Sequence, residues 1–448
     1  MPHVTLLVGQ TKTIIIGGII GVVVVIILLI LVLSRSGIQQ PKSVTLQFWG
    51  TFDSASFYET AISDFEKTNP GVHIVYRLFN FADYEKQLVG SFAAGTGPDI
   101  WLMHNSWLPK HKDKIQPLPQ VIKGQKVPLF TIKNFQDQFV DVALSDLTQK
   151  GEIYALPVYV DTLGLFYNKD IFNTLGISGP PKTWDEFNDD VKKITIIDNR
   201  GNIVRAGAAI GTANNINRST DILTLLMLQS GVQMTDKDNI SATFSKNVGG
   251  VKVGENSLQY YTDFANPSKQ LYTWNDQQHY SVDAFLEGNT GMMFNYAYEI
   301  PVLHAKQPRF NFAVAFAPQI SGSSTAVNFA NYWAPTVSKQ SKNPVSAWSF
   351  LVYLSSTKGA APYVNASGRP SARRDLVEQQ KSDPDIGIFA TQTLSARSWY
   401  QADDSAVETI FASMIDDINF GRAGLREALQ SAESKVNVLM SKLHQNNF

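Results

Sequence analysis

The sequence predicts an α/β protein with two lobes, preceded by one helix that spans a membrane. Predicted strands and helices alternate from Val44 onward, the same alternation starts again after Pro157, and an unbroken apolar run fills residues 14–33. Strand and helix alternation is typical of sheets whose parallel strands are joined by crossover helices. The length of 448 residues allows about three domains or two large lobes, at roughly 150 residues per domain.

The apolar run from Ile14 to Leu33 has the length of a membrane anchor. A helix of about 20 residues matches a hydrocarbon core of about 30 Å. A cleavable signal peptide has a shorter apolar stretch, of about 7 to 15 residues, followed by small residues in an A-x-A-like pattern. Here the run is longer and is followed by Ser34 to Ile38, so an uncleaved anchor is favoured over a removed signal. A short segment at 1–13 precedes the anchor, and a linker at 34–42 follows it.

The composition describes an ordered globular protein. Hydrophobic residues make up 44% of the chain, charged residues make up 17%, and there are 26 Phe, 16 Tyr and 8 Trp. A disordered chain is instead rich in charge and poor in aromatic residues. The 38 Lys and Arg balance the 39 Asp and Glu, so a basic excess that would bind nucleic acid is missing. Because the chain has no Cys, disulfides, thiolate nucleophiles and Cys-ligated metal sites are excluded.

The first lobe is predicted from the alternation that begins at Val44. Val44–Phe48 and Val72–Tyr76 have the pattern of strands, and Phe57–Lys67 places its apolar residues on one helical face. Asp83 is expected to cap the next helix, and a third strand follows at Asp99–Met103. This order predicts a parallel sheet with helices between its strands.

The alternation after Pro157 predicts the second lobe. Thr183 and Glu186 have the spacing of a capping box, which begins a helix. Further strands are predicted at Thr162–Tyr167, Met292–Asn295, Phe312–Phe316 and Tyr332–Val337. Further helices are predicted at Asp221–Ser230, Asn256–Phe264, Val282–Glu287, Val345–Leu354 and Leu425–Leu443.

Common catalytic motifs are missing from the sequence. It contains no P-loop, no dinucleotide-binding glycine pattern, no H-E-x-x-H and no G-x-S-x-G, and its seven His are scattered. We therefore expect neither a cofactor nor a metal. The pairs Asp403-Asp404 and Asp416-Asp417 could serve a glycosidase, but adjacent acidic residues are usually surface charges at helix ends.

Five short sequence blocks follow one another in a specific order. Each block alone is weak evidence of a family, but the five in this order are specific. They lie within 44–110, at 153–170, at Pro181–Phe187, at Ala284–Met293 and at Gly368–Arg374. The first of them includes Phe-Ala-Ala-Gly-Thr-Gly-Pro-Asp-Ile-Trp, which ends at Trp101. Together the blocks resemble the extracellular solute-binding proteins of ABC importers, specifically the carbohydrate-binding group that includes maltose-binding protein. The resemblance spans about 44 to 448.

This resemblance implies a periplasmic-binding-protein-like fold, in which two lobes meet at a hinge and hold the ligand in the cleft between them. The first lobe is expected to contain 43–155 plus 310–362, and the second 156–309 plus 363–448. The implied function is to capture a carbohydrate outside the cytoplasm and deliver it to an ABC permease, without making or breaking a bond. Relatives are often tethered by a lipidated Cys, which this chain lacks, so residues 14–33 would replace it.

Sugar sites combine aromatic planes with carboxylate and amide groups, and residues of these types follow the strands of the first lobe. The resemblance places a sugar-binding acid at Asp53, which could equally cap the helix after it. Asn105 and Trp107 follow the third strand, at the edge where α/β sheets bind ligands. Trp107 could instead pack against Pro109.

Further candidates lie at the crossings and in the second lobe. Asp161 matches a ligand-binding carboxylate of the maltose-type proteins, with a solvated hinge charge as the alternative. Asn295 and Tyr298 end a predicted strand where the family carries a stacking aromatic, with Tyr296 as the alternate position. The remaining two candidates, each of which could instead be a core residue, are Trp333 and Trp399.

Two polar residues are expected to be structural. Asp99 opens a strand after Gly97-Pro98 and is suited to binding backbone amides, and Arg373 is expected to form a salt bridge. Two other functions stay open at this point: a sensory module on the same fold, and a membrane-anchored glycosidase.

Overall fold

The computed structural model describes residues 43–122 and 127–446, so the predicted membrane helix at 14–33 lies outside the described residues. The strands are β1 Val44–Thr51, β2 Val72–Phe79, β3 Ile100–His104, β4 Thr148–Gln149, β5 Glu152–Ile153, β6 Asp161–Thr162, β7 Gly164–Asn168, β8 Ile196–Ile197, β9 Ile203–Ala208, β10 Thr290–Asn295, β11 Phe312–Ala315, β12 Asn328–Asn331, β13 Trp333–Val337 and β14 Ala396–Arg397. Within the described ranges, no helix is both long enough and apolar enough to cross a membrane.

Helices surround these strands. They are α1 Ser56–Thr68, α2 Phe81–Ala93, α3 Leu108–His111, α4 Ile132–Gln138, α5 Asp141–Leu147, α6 Lys169–Thr174, α7 Trp184–Ile194, α8 Ser219–Gln229, α9 Val253–Asp263, α10 Ser281–Leu286, α11 Glu299–Lys306, α12 Pro344–Leu354, α13 Thr357–Ser367, α14 Arg374–Gln380, α15 Gly387–Thr393, α16 Asp404–Asn419 and α17 Leu425–Asn446. A single turn of 3-10 helix covers Lys112–Lys114.

The first sheet has the strand order β13-β3-β1-β2. Strands β2 and β3 both run parallel to β1, as the sequence predicts for crossover helices α1 and α2. Strand β13 lies antiparallel to β3, with Trp333 opposite His104. The carboxyl end of β3 and the start of β13 therefore meet at one edge of this sheet.

The second sheet has the order β11-β7-β10-β9-β8 and is mixed. Only β10 and β9 run parallel in it, while β7 pairs antiparallel with both β10 and β11. All six residues of β10, from Thr290 to Asn295, are buried, and β10 is the central strand of this sheet.

The buried hydrophobic side chains form two clusters, one around each sheet. The first cluster comes mainly from residues 46–160 and 330–377, and the second mainly from 163–317 and 399–440. Phe310 packs against the second cluster and Tyr363 lies in the first. The lobe boundaries stay a prediction, because clusters of side chains do not by themselves define bodies that move.

A third, small sheet lies where the chain passes from one cluster to the other. Its strand order is β14-β12-β6. Strand β12 pairs antiparallel with β6 and parallel with β14. Three separate passages of the chain are thereby hydrogen-bonded to each other.

The local signals at helix starts were partly wrong. Helix α2 begins at Phe81 and is capped by the Asn80 side chain, which accepts from the Ala82 amide, so the expected cap at Asp83 is a residue of the first turn instead. Ala55 precedes α1 without a side-chain cap, so Asp53 does not cap that helix. Thr183 caps α7 as predicted.

Candidate functional site

An exposed pair of aromatic rings marks the edge of the first sheet. Phe52 follows β1 and Phe81 begins α2, and their side chains are 53% and 55% exposed. Their ring centroids lie 4.8 Å apart. The ring of Trp333 packs behind both, at 5.8 Å from Phe52 and 6.1 Å from Phe81. Two large rings therefore present apolar faces to solvent on a supported surface.

Buried aromatic rings hold Trp333 in place. Its centroid lies 4.9 Å from that of Trp107 and 6.0 Å from that of Tyr84. Tyr84 is fixed in turn, because its hydroxyl donates to the backbone carbonyls of Trp49 and Leu102. We call Phe52, Phe81, Tyr84, Trp107 and Trp333 the aromatic group. Its rings come from the loop after β1, from α2, from the loop after β3 and from β13, which the sheet order brings together.

Two bulky residues, Phe52 and Arg218, have strained backbones. Phe52 has a φ of 65° and Arg218 a φ of 74°, both in the left-handed region that side chains other than glycine rarely adopt. Such strain is stored mainly at sites where the surrounding structure and the function require it.

A second group of polar and aromatic side chains surrounds Arg218, just before α8. Its guanidinium donates to the Tyr298 hydroxyl and lies over the rings of Tyr296 and Tyr298, at 5.2 and 5.6 Å. The Tyr296 hydroxyl donates to Asp221 at 2.8 Å. Burial raises the pKa of the Asp221 carboxyl, against the effect of the nearby Arg218. We call these four residues the Arg218 group.

His104 and Asp404 lie between the two groups. The His104 ring is 5.3 Å from that of Trp333, and its Nδ1 is 3.4 Å from Asp404 Oδ2. His104 is also close enough to Asp221 to act on the pKa of that carboxyl. Burial, followed by the Asp221 carboxylate, raises the pKa of Glu408, one turn along α16 from Asp404. His104, Asp404 and Glu408 thus connect the aromatic group to the Arg218 group.

The arrangement suits noncovalent binding of a polar ligand with apolar faces. Carboxylates at Asp221, Asp404 and Glu408 can accept hydrogen bonds, Arg218 can donate them, and the exposed rings can pack against C–H groups. Within 43–122 and 127–446, no group of three His, Asp or Glu side chains could hold a metal ion.

The structure buries Asp53 in an ion pair. Its side chain is 1% exposed, and Oδ1 lies 2.8 Å from a guanidinium nitrogen of Arg369. Oδ2 accepts hydrogen bonds of 2.7 Å from the hydroxyls of Tyr58 and Tyr363. These partners connect the loop after β1 to α13 and the segment after it, so the surroundings of Asp53 are those of a structural residue.

Asp161 and Asn295 are both buried. Asp161 is 2% exposed, so the alternative of a solvated hinge charge was wrong. Its Oδ1 accepts from the amides of Thr162 and Ala297, its Oδ2 is buried without a partner, and burial raises its pKa to about 6. Asn295 donates to Glu299 at 3.1 Å and accepts from the Tyr296 amide.

Asn105 and Trp399 line a different groove, of about 440 Å³, between the two clusters. Asn105 donates to Asp146 at 3.0 Å, and burial raises the pKa of Asp146 to about 6. The Trp399 ring stacks on Phe411 at 5.9 Å and is 8% exposed, as expected for a core residue. The structure therefore does not bring Asn105 and Trp399 to the aromatic group.

Both residues expected to be structural are confirmed as such. Asp99 accepts a 3.0 Å hydrogen bond from the Gln47 amide and a 2.6 Å bond from the Ser341 hydroxyl. Arg373 forms an ion pair with Asp375 at 2.9 Å.

Sequence reasoning found Trp107, Trp333 and Tyr298, with Tyr296 as the alternate, and it interpreted Asp404 as a surface charge at a helix end. It missed the other residues of the candidate site: Phe52, Phe81, His104, Arg218, Asp221 and Glu408. A signal was available for Phe52, which is the neighbour of Asp53 in the first block of the resemblance. Arg218 and Glu408 have no comparable local pattern, because only the packing of α8 against α16 brings them together.

Comparison with known proteins agrees with this geometry. The model of the family of bacterial extracellular solute-binding proteins matches residues 49–361. The chain belongs to this family. The resemblance to solute-binding proteins that the sequence indicated is thereby confirmed. The expectation that the chain is a binding protein and not an enzyme is confirmed as well. The family name also places this solute-binding protein outside the cytoplasm.

Two curated relatives align over most of their length. The solute-binding protein is 21% identical to the multiple sugar-binding protein of Streptococcus mutans, over 82% of this chain and 84% of that one. It is 22% identical to the galactooligosaccharide-binding protein of Bacillus subtilis, over 90% of this chain and 92% of that one.

Solved structures share the fold. The sugar-binding protein MalE from Xanthomonas citri matches with a TM-score of 0.72 and 20% identity, over 90% of this chain and 98% of that one. The cyclic alpha-maltosyl-1,6-maltose binding protein from Arthrobacter globiformis also gives 0.72 and 20%, over 89% and 100%. The predicted two-lobed α/β fold is confirmed by these likenesses.

Proposed function

We propose that this solute-binding protein captures a carbohydrate in the cleft between the aromatic group and the Arg218 group. It then delivers the sugar to an ABC importer. The observation that carries the proposal is the exposure of Phe52 and Phe81 on a buried Trp333, which lies beside His104 and, through it, the carboxylate of Asp404. Sugars are named as the ligands of the Streptococcus and Bacillus relatives.

The aromatic group supplies the stacking surface. A sugar ring presents C–H groups on its faces, and an exposed aromatic plane removes that apolar surface from water without requiring a particular stereochemistry. Phe52 and Phe81 are free to do this because Trp333 supports them from behind. Tyr298, which is half-buried beside Arg218, would contact the ligand from the other wall.

The polar wall supplies the hydrogen bonds. Hydroxyl groups of a sugar are donors and acceptors at once, so they pair well with carboxylates and with a guanidinium. Asp221 and Glu408 accept, and Arg218 donates. Asp161 and Asn295 lie behind this wall and would fix the turn that carries Tyr298, since Asp161 binds the Ala297 amide.

We also propose that the lobes follow the two hydrophobic clusters. The chain would then cross near 160–163, near 329–333 and between 377 and 396, where the third sheet lies. This division assigns the aromatic group to the first lobe and the Arg218 group to the second. A ligand that contacts both lobes would favour the closed form, because it binds that form more tightly.

Isothermal titration calorimetry of the purified protein against a panel of mono- and oligosaccharides tests the proposal. At least one sugar should bind, and chromatography of the incubated mixture should show no turnover. Phe52→Ala and Phe81→Ala should each weaken that binding about tenfold or more. Phe420→Ala is the matched control, because Phe420 is 56% exposed but packs under Arg422, away from the cleft.

Other results would contradict the proposal. Binding that is equally weakened by the Phe420 control, or unaffected by both cleft variants, contradicts the proposed site. Hydrolysis of a bound oligosaccharide would favour a glycosidase instead.

Residues 14–33 are proposed to tether the protein to the membrane, with the lobes outside the cytoplasm. The support is the length of the apolar run and the absence of Cys for a lipid anchor. Determination of the mature N-terminus from native membranes tests this proposal. An N-terminus beyond Leu33 would refute the tether and leave the binding function intact.

A further inference from the structure

Two adjacent carboxylates at the start of α16 contact the first cluster directly. Asp403 and Asp404 belong to the segment that packs with the second cluster through Val407. Their partners, Trp107 and Lys110, follow β3 in the first sheet. These side-chain contacts therefore join the two proposed lobes at a place separate from the chain crossings.

The contact at Asp404 is made with a buried indole. Trp107 is 5% exposed, and its Nε1–H donates to both oxygens of Asp404, at 3.0 and 3.1 Å. A buried N–H that loses its acceptor costs the free energy of its desolvation. If the lobes moved apart, Trp107 would have to find water or stay unpaired.

The contact at Asp403 extends into a network of charges. Lys110 Nζ lies 2.9 Å from Asp403 and 2.7 Å from Glu85, and His111 Nε2 lies 2.7 Å from the same Glu85 oxygen. The hydrogen bond with His111, followed by that with Lys110, lowers the pKa of Glu85 to about 2, although burial opposes the shift. Lys110 is thus held between a carboxylate of each lobe.

We propose that Asp403 and Asp404 form a latch that holds the lobes closed without ligand, and that Asp404 positions Trp107 behind Trp333. The inference rests on the proposed division into lobes and on the proposed cleft. Closure would then complete the aromatic group, because the ring of Trp107 supports Trp333 only while its N–H is bound across the cleft. Asp404 is a positioning residue in this arrangement.

The latch has a calculable effect on the population of the closed form. A hydrogen bond to a charged group changes an equilibrium by about tenfold to about a hundredfold. Removal of the Asp404 carboxylate should therefore reduce the ratio of closed to open molecules at least about tenfold. The apparent affinity for ligand would fall in proportion to the closed fraction.

Small-angle X-ray scattering of the ligand-free protein tests the latch. Asp404→Ala should increase the radius of gyration relative to the wild type, while Asp404→Asn, which keeps an oxygen acceptor, should give a smaller increase. Asp417→Asn is the matched control, because Asp417 lies on the same helix but pairs with Arg422 of its own lobe. Thermal unfolding of each variant establishes that it is folded.

A double-mutant cycle assigns the effect to one pair of side chains. Trp107→Phe keeps a ring but removes the N–H, so it should expand the protein as Asp404→Ala does. The two changes together should then have less than the sum of their separate effects, with any remainder due to the contact of Asp404 with His104 at 3.4 Å. Equal radii for the wild type, Asp404→Ala and Asp417→Asn, or full additivity in the cycle, would overturn the latch.

These outcomes do not depend on a sugar. If calorimetry finds no ligand while Asp404→Ala expands the protein, the proposed function fails and the latch stands. If a sugar binds but the radii are equal, the latch fails alone.

Discussion

The backbone of Phe52 allows stability and binding to be separated at one position. Phe52→Ala removes the ring but keeps a Cβ at a φ of 65°. Phe52→Gly removes the ring and also the side chain that makes this conformation unfavourable. Comparison of the two variants therefore measures the strain, while both report on the loss of the ring.

The expected magnitudes follow from exposure and conformation. Full burial of a Phe side chain contributes about 1.5 to 3 kcal/mol, and Phe52 is 53% exposed, so loss of its ring should cost about 1 kcal/mol. A left-handed conformation costs an L-residue roughly 1 to 2 kcal/mol, which Gly avoids. Phe52→Gly should thus be about 1 kcal/mol more stable than Phe52→Ala and close to the wild type.

Denaturant unfolding gives the stabilities, and calorimetric titration gives the affinities for a bound sugar. Both variants should lose about tenfold or more in affinity, independently of their order in stability. Phe420 provides the matched pair, because it is 56% exposed but has an ordinary φ of −91°. At Phe420 the Gly variant should not be the more stable one. A Gly variant at Phe52 that is less stable than the Ala variant would refute the strain argument.

Three further outcomes are expected. Asp53→Ala should destabilise the protein by about 3 to 5 kcal/mol in denaturant unfolding, because it leaves the buried Arg369 unpaired; a loss below 1 kcal/mol would contradict the buried pair. The pKa of Asp161 is raised to about 6 by burial, so the folded state binds the proton more tightly and stability falls as pH rises. Between pH 5 and pH 8 the unfolding free energy of the wild type should fall by about 1 to 1.5 kcal/mol more than that of Asp161→Asn. An equal pH dependence of the two proteins would refute this assignment. Trp399→Ala should lower the melting temperature while the folded fraction keeps its affinity for sugar, and a selective loss of affinity would restore Trp399 to the cleft.

The sequence was most informative where one periodic pattern decides the structure. The alternation from Val44 to Met103 predicted the parallel part of the first sheet because crossover helices leave little choice of direction. The cap of α2 was missed because Asn80 and Asp83 are both good capping residues three positions apart. The antiparallel β13 was not predicted, since a strand pattern does not contain the direction of its partner.

The candidate site shows the same limit. Trp107 and Trp333 were found as aromatic residues at strand ends, and β3 and β13 do bring them together. Asp53 was placed at the right loop, yet its carboxylate points to Arg369, which is more than 300 positions away along the chain. Local sequence cannot distinguish a carboxylate that meets solvent from one that meets a distant guanidinium.

The small sheet of β6, β12 and β14 has a consequence for motion. Its three passages are hydrogen-bonded as one unit, with Ala330 opposite Thr162 and Phe329 opposite Arg397. If the lobes divide as proposed, a bend in one crossing segment must also move the other two. The motion of one lobe relative to the other then has a single axis. Distances between any label on one lobe and any label on the other should then change together, as functions of one angle.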